Sequence, residues 1–480
     1  MVNLFRIKDV NNLVENANKD GGLKRTLTAT NLVALGIGSV IGTGIFVLTG
    51  TAAANHAGPA LTLSFIISAL GCIMAGLCYA EFAAMIPVAG SAYSYSYATL
   101  GEFVAWFIGW DLILEYLFTS ATVAVGWSGY VVSFLADFGI NIPPALMSAP
   151  FDYVQDVGWV TTGSLINFPA VFIVLVVSAL LVIGIKESVT INNLIVIVKL
   201  VVILLFIGFG LSYIDTSNWV PYVPENTGKF GQFGWSGVLT GAAVIFFAYI
   251  GFDAVSTVAQ ETKNPQKDMP KGLLGSLLVC TVLYIAVTAV LTGIVHYSEL
   301  NVPAPIALAI DRTSGSLAWL SAFIKVGAIA GLSSVVLVML LGQSRIFYTM
   351  SKDGLLPGLF SALHPRFRTP YLTSILVGIT ASIIAGLFPI NILGELVSIG
   401  TLMAFTIVCL SILILRKKNP HIHRPFKTPW VPFVPIAGAV ICLAQMLALP
   451  FDTWMRLIIW MLIGFVIYGV YSYKHSKLNK

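Results

Sequence analysis

The 480-residue chain is 57% hydrophobic and only 10% charged, whereas roughly 25% of the residues of a typical soluble protein are charged. This composition excludes an ordinary soluble domain and is typical of an integral membrane protein. The net charge of +5 comes from basic residues beside the ends of hydrophobic runs. They form no single patch, so we do not expect a nucleic-acid partner.

Twelve hydrophobic runs follow one another along the chain, each with about the 20 residues that a transmembrane helix needs. We therefore predict an all-α membrane protein with twelve transmembrane helices, surrounded by lipid. Residues 1–30 are polar and lack the apolar segment of a cleavable signal peptide. We therefore expect them to form a polar N-terminal leader. The runs lie near 31–54, 58–86, 98–135, 168–186, 190–213, 235–258, 272–296, 318–350, 370–388, 394–415, 430–450 and 453–473.

The Lys and Arg residues indicate how the chain lies in the membrane. With an even number of spans, both termini lie on the same side of the membrane. Most of the 26 Lys and Arg residues fall on that side, and only Lys229, Arg312 and Arg456 fall on the other side. Cytoplasmic loops carry the excess of basic residues. We therefore expect a cytoplasmic leader and a cytoplasmic tail at 474–480. The loop at 136–167 has acidic residues and no basic one, as an outer loop can.

Glycine interrupts two of the runs: VALGIGSVIGTGIFVLTG (33–50) in the first and VIFFAYIGFDAVS (244–256) in the sixth. Five spans separate the starts of these runs, so the two segments enter the membrane from opposite faces. This is typical of two five-helix units of inverted topology, each beginning with a broken helix. We predict one unit over 31–213, a second over 235–415, and a further helix pair over 430–473.

A broken helix in the membrane interior leaves backbone groups that need partners. Amides at the start of the second half-helix, around Thr43 and Gly44, suit a carboxylate. Carbonyls that end the first halves, around Val40, Phe247 and Ile250, suit an ammonium group. One pocket with the amides on one wall and the carbonyls on the other fits a zwitterionic α-amino acid. The alternative is that the glycines only allow close packing of helices.

Lys199 interrupts an otherwise apolar run, INNLIVIVKLVVILLFIGFGL (191–211). A cation in the membrane interior costs at least a few kcal/mol, so this residue faces protein or water and is a functional candidate. Burial disfavours the charged amine, so we expect it to exchange its proton near neutral pH. A titratable amine beside two broken helices suggests a transporter that couples solute movement to protons. The alternative is a structural lysine bonded to a carbonyl.

Several motifs together resemble one superfamily. IGTGIF, AYIGFDAVS, ETKNPQKDMPKG and GQSRIFYTMSKDGLLP are similar to segments of the amino acid–polyamine–organocation superfamily. With YAEFAAMIPVAGSAYSYSYATLGE and GWDLILEY, the chain closely resembles its bacterial cationic-amino-acid-transporter branch, from about residue 20 to the C-terminus. The resemblance implies a LeuT-type fold of two inverted five-helix repeats with broken helices 1 and 6, plus helices 11 and 12. It also implies the plasma membrane, alternating access and L-amino acid substrates.

Residue by residue, the resemblance implies a substrate site at the two breaks. The Thr43 and Gly44 amides would hold the substrate carboxylate, and the Thr43 hydroxyl would help. Phe247 would cover the substrate, and Met339 would limit the length of its side chain, with a packing methionine as the alternative. The whole expected site comprises Val40, Ile41, Gly42, Thr43, Gly44, Glu115, Phe247, Ala248, Ile250 and Met339.

The resemblance also concerns the coupling ion. Lys199 matches a lysine that takes the place of a sodium ion found in sodium-coupled relatives. We therefore expect protons as the coupling ion, with no cofactor and no metal. Ser333 and Ser334 resemble the hydroxyl pair around that ion site, which leaves sodium coupling as an alternative.

Acidic residues inside the predicted spans also need a role. Glu115 either contacts the substrate and favours a cationic side chain, or pairs internally and leaves a neutral pocket. Asp253, just past the second break, either caps the freed helix end or relays protons, and the relay is also open to Glu115. Asp111 and Glu81 are expected to make structural or gating contacts. Lys325, near the outer end of its span, is expected to reach the lipid headgroups.

We therefore expect a carrier that imports L-amino acids by proton-coupled alternating access and favours small neutral substrates such as alanine. Arginine or lysine uptake and amino acid exchange are the alternatives. Broken helices argue against a channel, and the lack of clustered nucleophile motifs argues against an enzyme. The basic loop at 345–370 is expected to make cytoplasmic gate contacts with residues 87–97. The sequence does not indicate an oligomeric state.

Overall fold

The computed structural model describes residues 6–8, 26–86, 91–154, 158–184, 189–313, 317–367 and 369–479. Most of the predicted leader, and part of the 87–97 segment, lie outside the described residues. The rest of the chain is mainly helical, as its long apolar runs predict. The helices are α1 (Ala29–Val40), α2 (Leu61–Met85), α3 (Ser91–Thr99), α4 (Glu102–Asp137), α5 (Phe168–Ile183), α6 (Val189–Gly210), α7 (Gly234–Ile245), α8 (Pro265–Ile294), α9 (Pro305–Asp311), α10 (Ala318–Lys352), α11 (Tyr371–Leu387), α12 (Ile390–Lys418), α13 (Phe433–Ala448) and α14 (Phe451–Ile467).

Helices occupy every one of the twelve predicted runs. In the described part, eight helical segments are long and apolar enough to cross a membrane. Four further apolar helices, α1, α5, α11 and α13, are shorter, with 12, 16, 17 and 16 residues. The helical membrane architecture is therefore confirmed, whereas the number of spans and the inverted repeat stay predictions.

Both glycine-containing runs are broken helices. The first leaves α-helical geometry after Val40 and resumes at Gly44 as a stretch of π and α turns that ends at Ala57. In the second, α7 is followed by the 3₁₀ turn Phe246–Tyr249, and helical structure returns at Asp253. Gly251, between these parts, has φ of +108°, a backbone conformation that side chains with a Cβ rarely adopt. Glycine at this position therefore permits the break.

The broken helices lie in the interior. α1 packs against α8, α6 and α10, and α4 packs along most of α10. The apolar segment of the second broken helix is almost wholly buried, whereas α6 and α14 expose most of theirs, as helices that face lipid do. The polar backbone groups freed at the breaks are thus enclosed by protein.

The fold departs from an all-α architecture in one loop. Residues of the 136–167 segment form an antiparallel hairpin, with β1 (Phe151–Val154) paired to β2 (Gly158–Thr161). Tyr153 bonds Asp452 at the start of α14, and the Trp159 ring packs against Phe388, centroid to centroid 6.3 Å. The hairpin is therefore fixed to the helical body. Nothing in its short alternating strands distinguished it from a loop.

Two charged residues inside the spans make ion pairs. The prediction that Lys325 reaches the headgroups is wrong: its side chain is only 3% exposed, and its Nζ lies 2.7 Å from the carboxylate of Asp137. Asp137 ends α4, so the pair joins α4 to α10. Glu81 is fully buried and receives two hydrogen bonds from Arg416, at 2.6 and 3.1 Å. Its contact is structural and joins α2 to α12.

Candidate functional site

The first break presents free amides. Ile45 donates its amide to the Gly42 carbonyl at 3.2 Å, and this is the first backbone hydrogen bond of the second half-helix. The amides of Thr43 and Gly44 make no backbone hydrogen bond to a described residue. The Thr43 hydroxyl is fully buried and also has no partner in the described part of the chain. Three donors without such partners therefore lie at a helix N-terminus, where positive dipole character suits a carboxylate.

The opposite wall presents carbonyls. The Tyr284 hydroxyl lies 2.9 Å from the carbonyl oxygen of Val40 and 2.9 Å from that of Ala248. A phenol hydroxyl has a single hydrogen, so it donates to one of these oxygens at a time. The other oxygen then needs another donor, because a buried acceptor left unsatisfied costs about 1–3 kcal/mol. The two breaks thus share two acceptors, for which Tyr284 supplies a single hydrogen.

The two broken helices cross closely at this point. A Cβ added at Gly44 would lie 2.3 Å from the Cα of Ala248, so only glycine allows the crossing. Gly251 is also at the crossing: its carbonyl accepts a 2.9 Å hydrogen bond from the Ser39 hydroxyl. The Met339 methyl lies 3.1 Å from where a Gly251 Cβ would be. The structure therefore places Met339 beside the second break, and its role in a side-chain pocket stays a prediction.

Not every predicted carbonyl is equally available. The Phe247 carbonyl already accepts the Ile250 amide at 3.1 Å, although a carbonyl has a second lone pair. The Phe247 side chain is buried beside the crossing. Ile250 follows the 3₁₀ turn in an extended conformation. Gly42 packs against Val335 at an ordinary distance, 3.4 Å from an added Cβ, so its place in the site is less crowded than that of Gly44.

Lys199 joins α6 to the first break. Its Nζ donates to the Gly38 carbonyl at 2.6 Å and to the Ile41 carbonyl at 3.0 Å, and the residue is fully buried. These oxygens belong to the last turn of α1, where the helix dipole is negative, so a cation is stabilised there. Gly331 of α10 makes room for the lysine: an added Cβ would lie 2.8 Å from the Lys199 Cε. The amine thus lies among three helices.

The hydroxyl pair considered for sodium is already engaged. Ser334 donates to the Gly331 carbonyl at 2.9 Å, and Ser333 donates to the Ile329 carbonyl at 2.8 Å. Ser333 also accepts a hydrogen bond from the Trp127 indole at 2.8 Å. Both hydroxyls bond back to their own helix, and the Lys199 amine occupies the neighbouring space.

The acidic residues form a separate cluster. Asp253 accepts 3.2 Å hydrogen bonds from the hydroxyls of Ser91 and Tyr116. Glu115, beside Tyr116 on α4, is buried, and one of its oxygens has no partner in the described part. Neither carboxylate oxygen of Asp111 has such a partner, so the structural pairing predicted for Asp111 is absent there.

Glu115 lies at another level from the Thr43 and Gly44 donors, which we call the carboxylate clamp. The Thr43 side chain packs on Gly126 of α4, 2.7 Å from where a Cβ of this glycine would be. At 1.5 Å per residue, Glu115 is about 16 Å further along the same helix, toward the face that carries the termini. The structure therefore groups Glu115 with Tyr116 and Asp253 and separates Glu115 from Thr43.

Side-chain contacts join several elements at the face that carries the termini. Tyr93 donates a 2.6 Å hydrogen bond to Asp353 at the end of α10, so the described part of 87–97 contacts the 345–370 loop as predicted, and the gating role stays a prediction. Lys8 forms an ion pair with the same carboxylate at 2.6 Å. Ser476 of the C-terminal segment bonds to Glu102 at the start of α4. On the opposite face, a cavity bordered by Gly126 reaches close to Thr43.

Sequence reasoning missed several residues of this site. Tyr284 bridges the two breaks, Gly331 makes room for Lys199, and Gly126 supports Thr43. Each is an ordinary residue of an apolar helix. A tyrosine hydroxyl in the middle of a span is a signal, because it needs a partner there. The two glycines gave none, because their role depends on which helix packs opposite.

These features define the class: a helical integral membrane protein with polar backbone groups between two broken helices. The family model described as amino acid permease matches residues 27–468 of the chain. The chain belongs to this family, within the amino acid–polyamine–organocation superfamily, and is a transporter and not an enzyme.

The names of individual relatives refer to different substrates. The methylthioribose transporter of Bacillus subtilis is 49% identical over 480 residues, covering 100% of both chains. The branched-chain amino acid permease BcaP of Bacillus subtilis is 47% identical over 479 residues, 99% of each chain. Cationic amino acid transporter 4, vacuolar, of Arabidopsis thaliana is 38% identical over 398 residues, 83% of this chain and 64% of that protein.

Proposed function

We propose that the chain imports L-α-amino acids by proton-coupled alternating access and prefers small neutral substrates such as alanine. The carrier lies in the plasma membrane, with both termini in the cytoplasm. It contains the twelve spans and the two inverted five-helix repeats predicted above. The proton is the coupling ion, and neither sodium nor a cofactor takes part.

One observation carries the substrate class: the single Tyr284 hydroxyl is shared by two carbonyls, beside amides that lack backbone partners. The α-ammonium group supplies the hydrogen that the Val40 and Ala248 carbonyls together lack. The carboxylate takes the amides of Thr43 and Gly44. A zwitterion satisfies both walls at once, and neither an amine nor a carboxylate alone does so.

Lys199 supports proton coupling. Its ammonium group bonds two carbonyls of α1, which immediately precede the carboxylate clamp. When the amine is charged, α1, α6 and α10 are held together and the clamp is in place. When the amine loses its proton it keeps two hydrogens to donate but no longer its charge, so the charge-assisted bonds weaken. α1 is then free to move, and the substrate leaves toward the cytoplasm.

The preference for small neutral side chains rests on Met339 and Glu115. Met339 fills space beside Gly251, so a long side chain has to displace it. In this proposal Glu115 pairs within the cluster around Asp253 and leaves the pocket neutral. Arginine or lysine uptake remains the alternative, and branched-chain substrates test how far Met339 yields.

Methylthioribose is a second candidate substrate, because the relative that transports it by name is 49% identical over the whole chain. This sugar thioether has no ammonium or carboxylate group. It would leave the amides of Thr43 and Gly44 without an anionic partner. The two candidates therefore differ in whether they use the charged ends of the site.

Proteoliposomes distinguish these functions. The purified chain is reconstituted without sodium, and an inward proton gradient is imposed with labelled alanine outside. We expect alanine to accumulate. A protonophore should abolish this accumulation, and added sodium should not increase it. Unlabelled alanine should compete best, leucine less and arginine least.

The same panel contains the contrary outcomes. Competition by methylthioribose stronger than that by alanine would favour the second candidate. Arginine uptake far above alanine uptake would favour the alternative that the chain imports cationic amino acids. Counterflow of alanine without any response to the proton gradient would indicate an exchanger.

A further inference from the structure

A cavity of about 430 Å³ lies on the face opposite to the two termini. Residues of the second half of α4 line it, whereas the start of α4 contacts the C-terminal segment through Glu102 and Ser476. Its volume falls within the range of small-molecule sites, about 300–1,000 Å³. We call it the outer cavity. Its rim includes the hairpin strand β1 and the segments 301–303 and 389–391.

The floor of the outer cavity reaches the carboxylate clamp. Gly126 and Val47 line the cavity, and a Cβ at Gly126 would lie 2.9 Å from the Thr43 hydroxyl oxygen and 3.2 Å from a Val47 methyl. The Thr43 side chain therefore packs directly beneath a residue of the cavity lining.

The outer cavity presents acceptors of hydrogen bonds and one negative charge. Asp152 of β1 lines it, and successive side chains of a strand point to opposite sides. Its neighbour Tyr153 points toward α14, where it bonds Asp452 and faces Arg456, so Asp152 points the other way. Asn391 also lines the cavity, and its side-chain oxygen is buried with no partner in the described part. The described lining contains no Lys, Arg or His.

We propose that the outer cavity is a first-contact site for the ammonium group of an incoming amino acid. The Asp152 carboxylate and the Asn391 oxygen hold this group before the substrate passes Gly126 and reaches Thr43. This inference rests on the proposed function, because it takes the substrate to be a zwitterion that enters from this face. The site discriminates against anionic amino acids at entry, before the clamp is reached.

Such a site has a definite kinetic signature. It raises the local concentration of substrate next to the clamp, so its loss raises KM and leaves the maximal rate unchanged. The contribution of a single carboxylate at a partly open cavity is screened by salt, with a Debye length of about 10 Å at 0.1 M. The contribution also concerns entry from one face only, because the other face does not contain the cavity.

The test compares alanine uptake by intact cells that produce the wild type, Asp152→Asn, Asn391→Leu or Glu225→Gln. Glu225 is exposed beside Pro224, which packs on Gly58 at the same face, so it controls for loss of a charge there. We expect KM to rise about threefold or more for Asp152→Asn at low ionic strength, and this increase to fade in high salt. Asn391→Leu should also raise KM, and Asp152→Glu should restore it.

Entry from the terminal face is the internal control for folding. In inside-out vesicles, KM and the maximal rate of Asp152→Asn should equal those of the wild type. An Asp152→Asn variant with wild-type KM from outside, or a Glu225→Gln variant with the same increase, would overturn the first-contact site while leaving the proposed function intact. If Asn391→Leu has no effect, the carboxylate acts only by distant attraction and no site exists. Failure of the wild type to transport alanine would overturn the proposed function itself, and this inference with it.

Discussion

The Nζ of Lys199 lies 2.6 Å from the carbonyl oxygen of Gly38, in the last turn of the helix whose break holds the carboxylate clamp. A second hydrogen bond to Ile41 brings the amine to the residue just before Gly42–Gly44. The Lys199 amine is therefore bonded directly to the end of α1 that leads into the break. In the proposed function, this link lets a proton drive a solute that it never touches.

The fit of Lys199 against Gly331 gives a first prediction. Gly331→Ala should push the amine away from its two carbonyls, because the new Cβ would lie 2.8 Å from the Lys199 Cε. We expect proton-driven accumulation to fall at least tenfold, measured in sodium-free proteoliposomes. Gly327→Ala is the control: it crowds Val202 on the same pair of helices but does not touch the lysine. If both variants lose coupling equally, general packing of α6 on α10 is responsible.

The two glycines of the first break should respond differently to the same substitution. At Gly44 an added Cβ meets the Ala248 backbone at 2.3 Å, whereas at Gly42 it meets a Val335 methyl at 3.4 Å. Gly44→Ala should therefore abolish alanine binding, and Gly42→Ala should keep it within about threefold. Isothermal titration with alanine measures both.

At Gly44 the structure supports the alternative that the sequence left open, because this glycine is needed for the close crossing of the two broken helices. A folded Gly44→Ala protein that binds alanine normally would contradict this reason. Size-exclusion chromatography of each variant separates loss of the site from loss of the fold.

Tyr284→Phe should weaken substrate binding and lower the melting temperature of the protein. Without the hydroxyl, the buried carbonyls of Val40 and Ala248 lose their shared donor, at a cost of about 1–3 kcal/mol. Tyr249→Phe is a matched control, because its ring packs on Tyr284 with centroids 5.5 Å apart but its hydroxyl bonds the Phe65 carbonyl away from the crossing.

Thermal unfolding with and without alanine measures this difference. Stabilisation by alanine should be reduced in Tyr284→Phe and retained in Tyr249→Phe. Equal stabilisation in both variants would mean that the Val40 and Ala248 carbonyls do not hold the ammonium group.

Met339→Ala should shift the substrate preference toward longer side chains. The methyl group of Met339 lies beside Gly251, so its removal opens space at the second break. We expect the ratio of leucine to alanine uptake to rise at least fivefold. Met446→Ala removes the same buried volume from α13, outside the breaks, and should leave this ratio unchanged. An unchanged ratio in Met339→Ala would exclude Met339 from the side-chain pocket.

The sequence predicted the helices and both breaks. It could do so because glycine interruptions in apolar runs are local signals with a specific consequence in a membrane. The cost of a buried cation marked Lys199 as a functional candidate, the family resemblance placed it near the first break, and the structure puts the amine on the Gly38 and Ile41 carbonyls.

Contacts between distant residues were beyond the sequence. The partner of Lys325 is Asp137, 188 positions away, and no periodic pattern connects them. The hairpin at Phe151–Val154 and Gly158–Thr161 is too short to show a strand pattern and depends on its contacts with α14. The shared Tyr284 hydroxyl likewise becomes visible only when two carbonyls from separate helices meet at one atom.

The most direct test of the central claim is uptake of labelled alanine into sodium-free proteoliposomes under an inward proton gradient, comparing the wild type with Lys199→Ala and Lys199→Arg. Arginine keeps the charge but does not release a proton near neutral pH. We predict accumulation by the wild type alone, while Lys199→Ala loses the response to the gradient and Lys199→Arg does not cycle. Concentrative uptake by Lys199→Ala under the same gradient, or a wild type that needs sodium, would contradict the account.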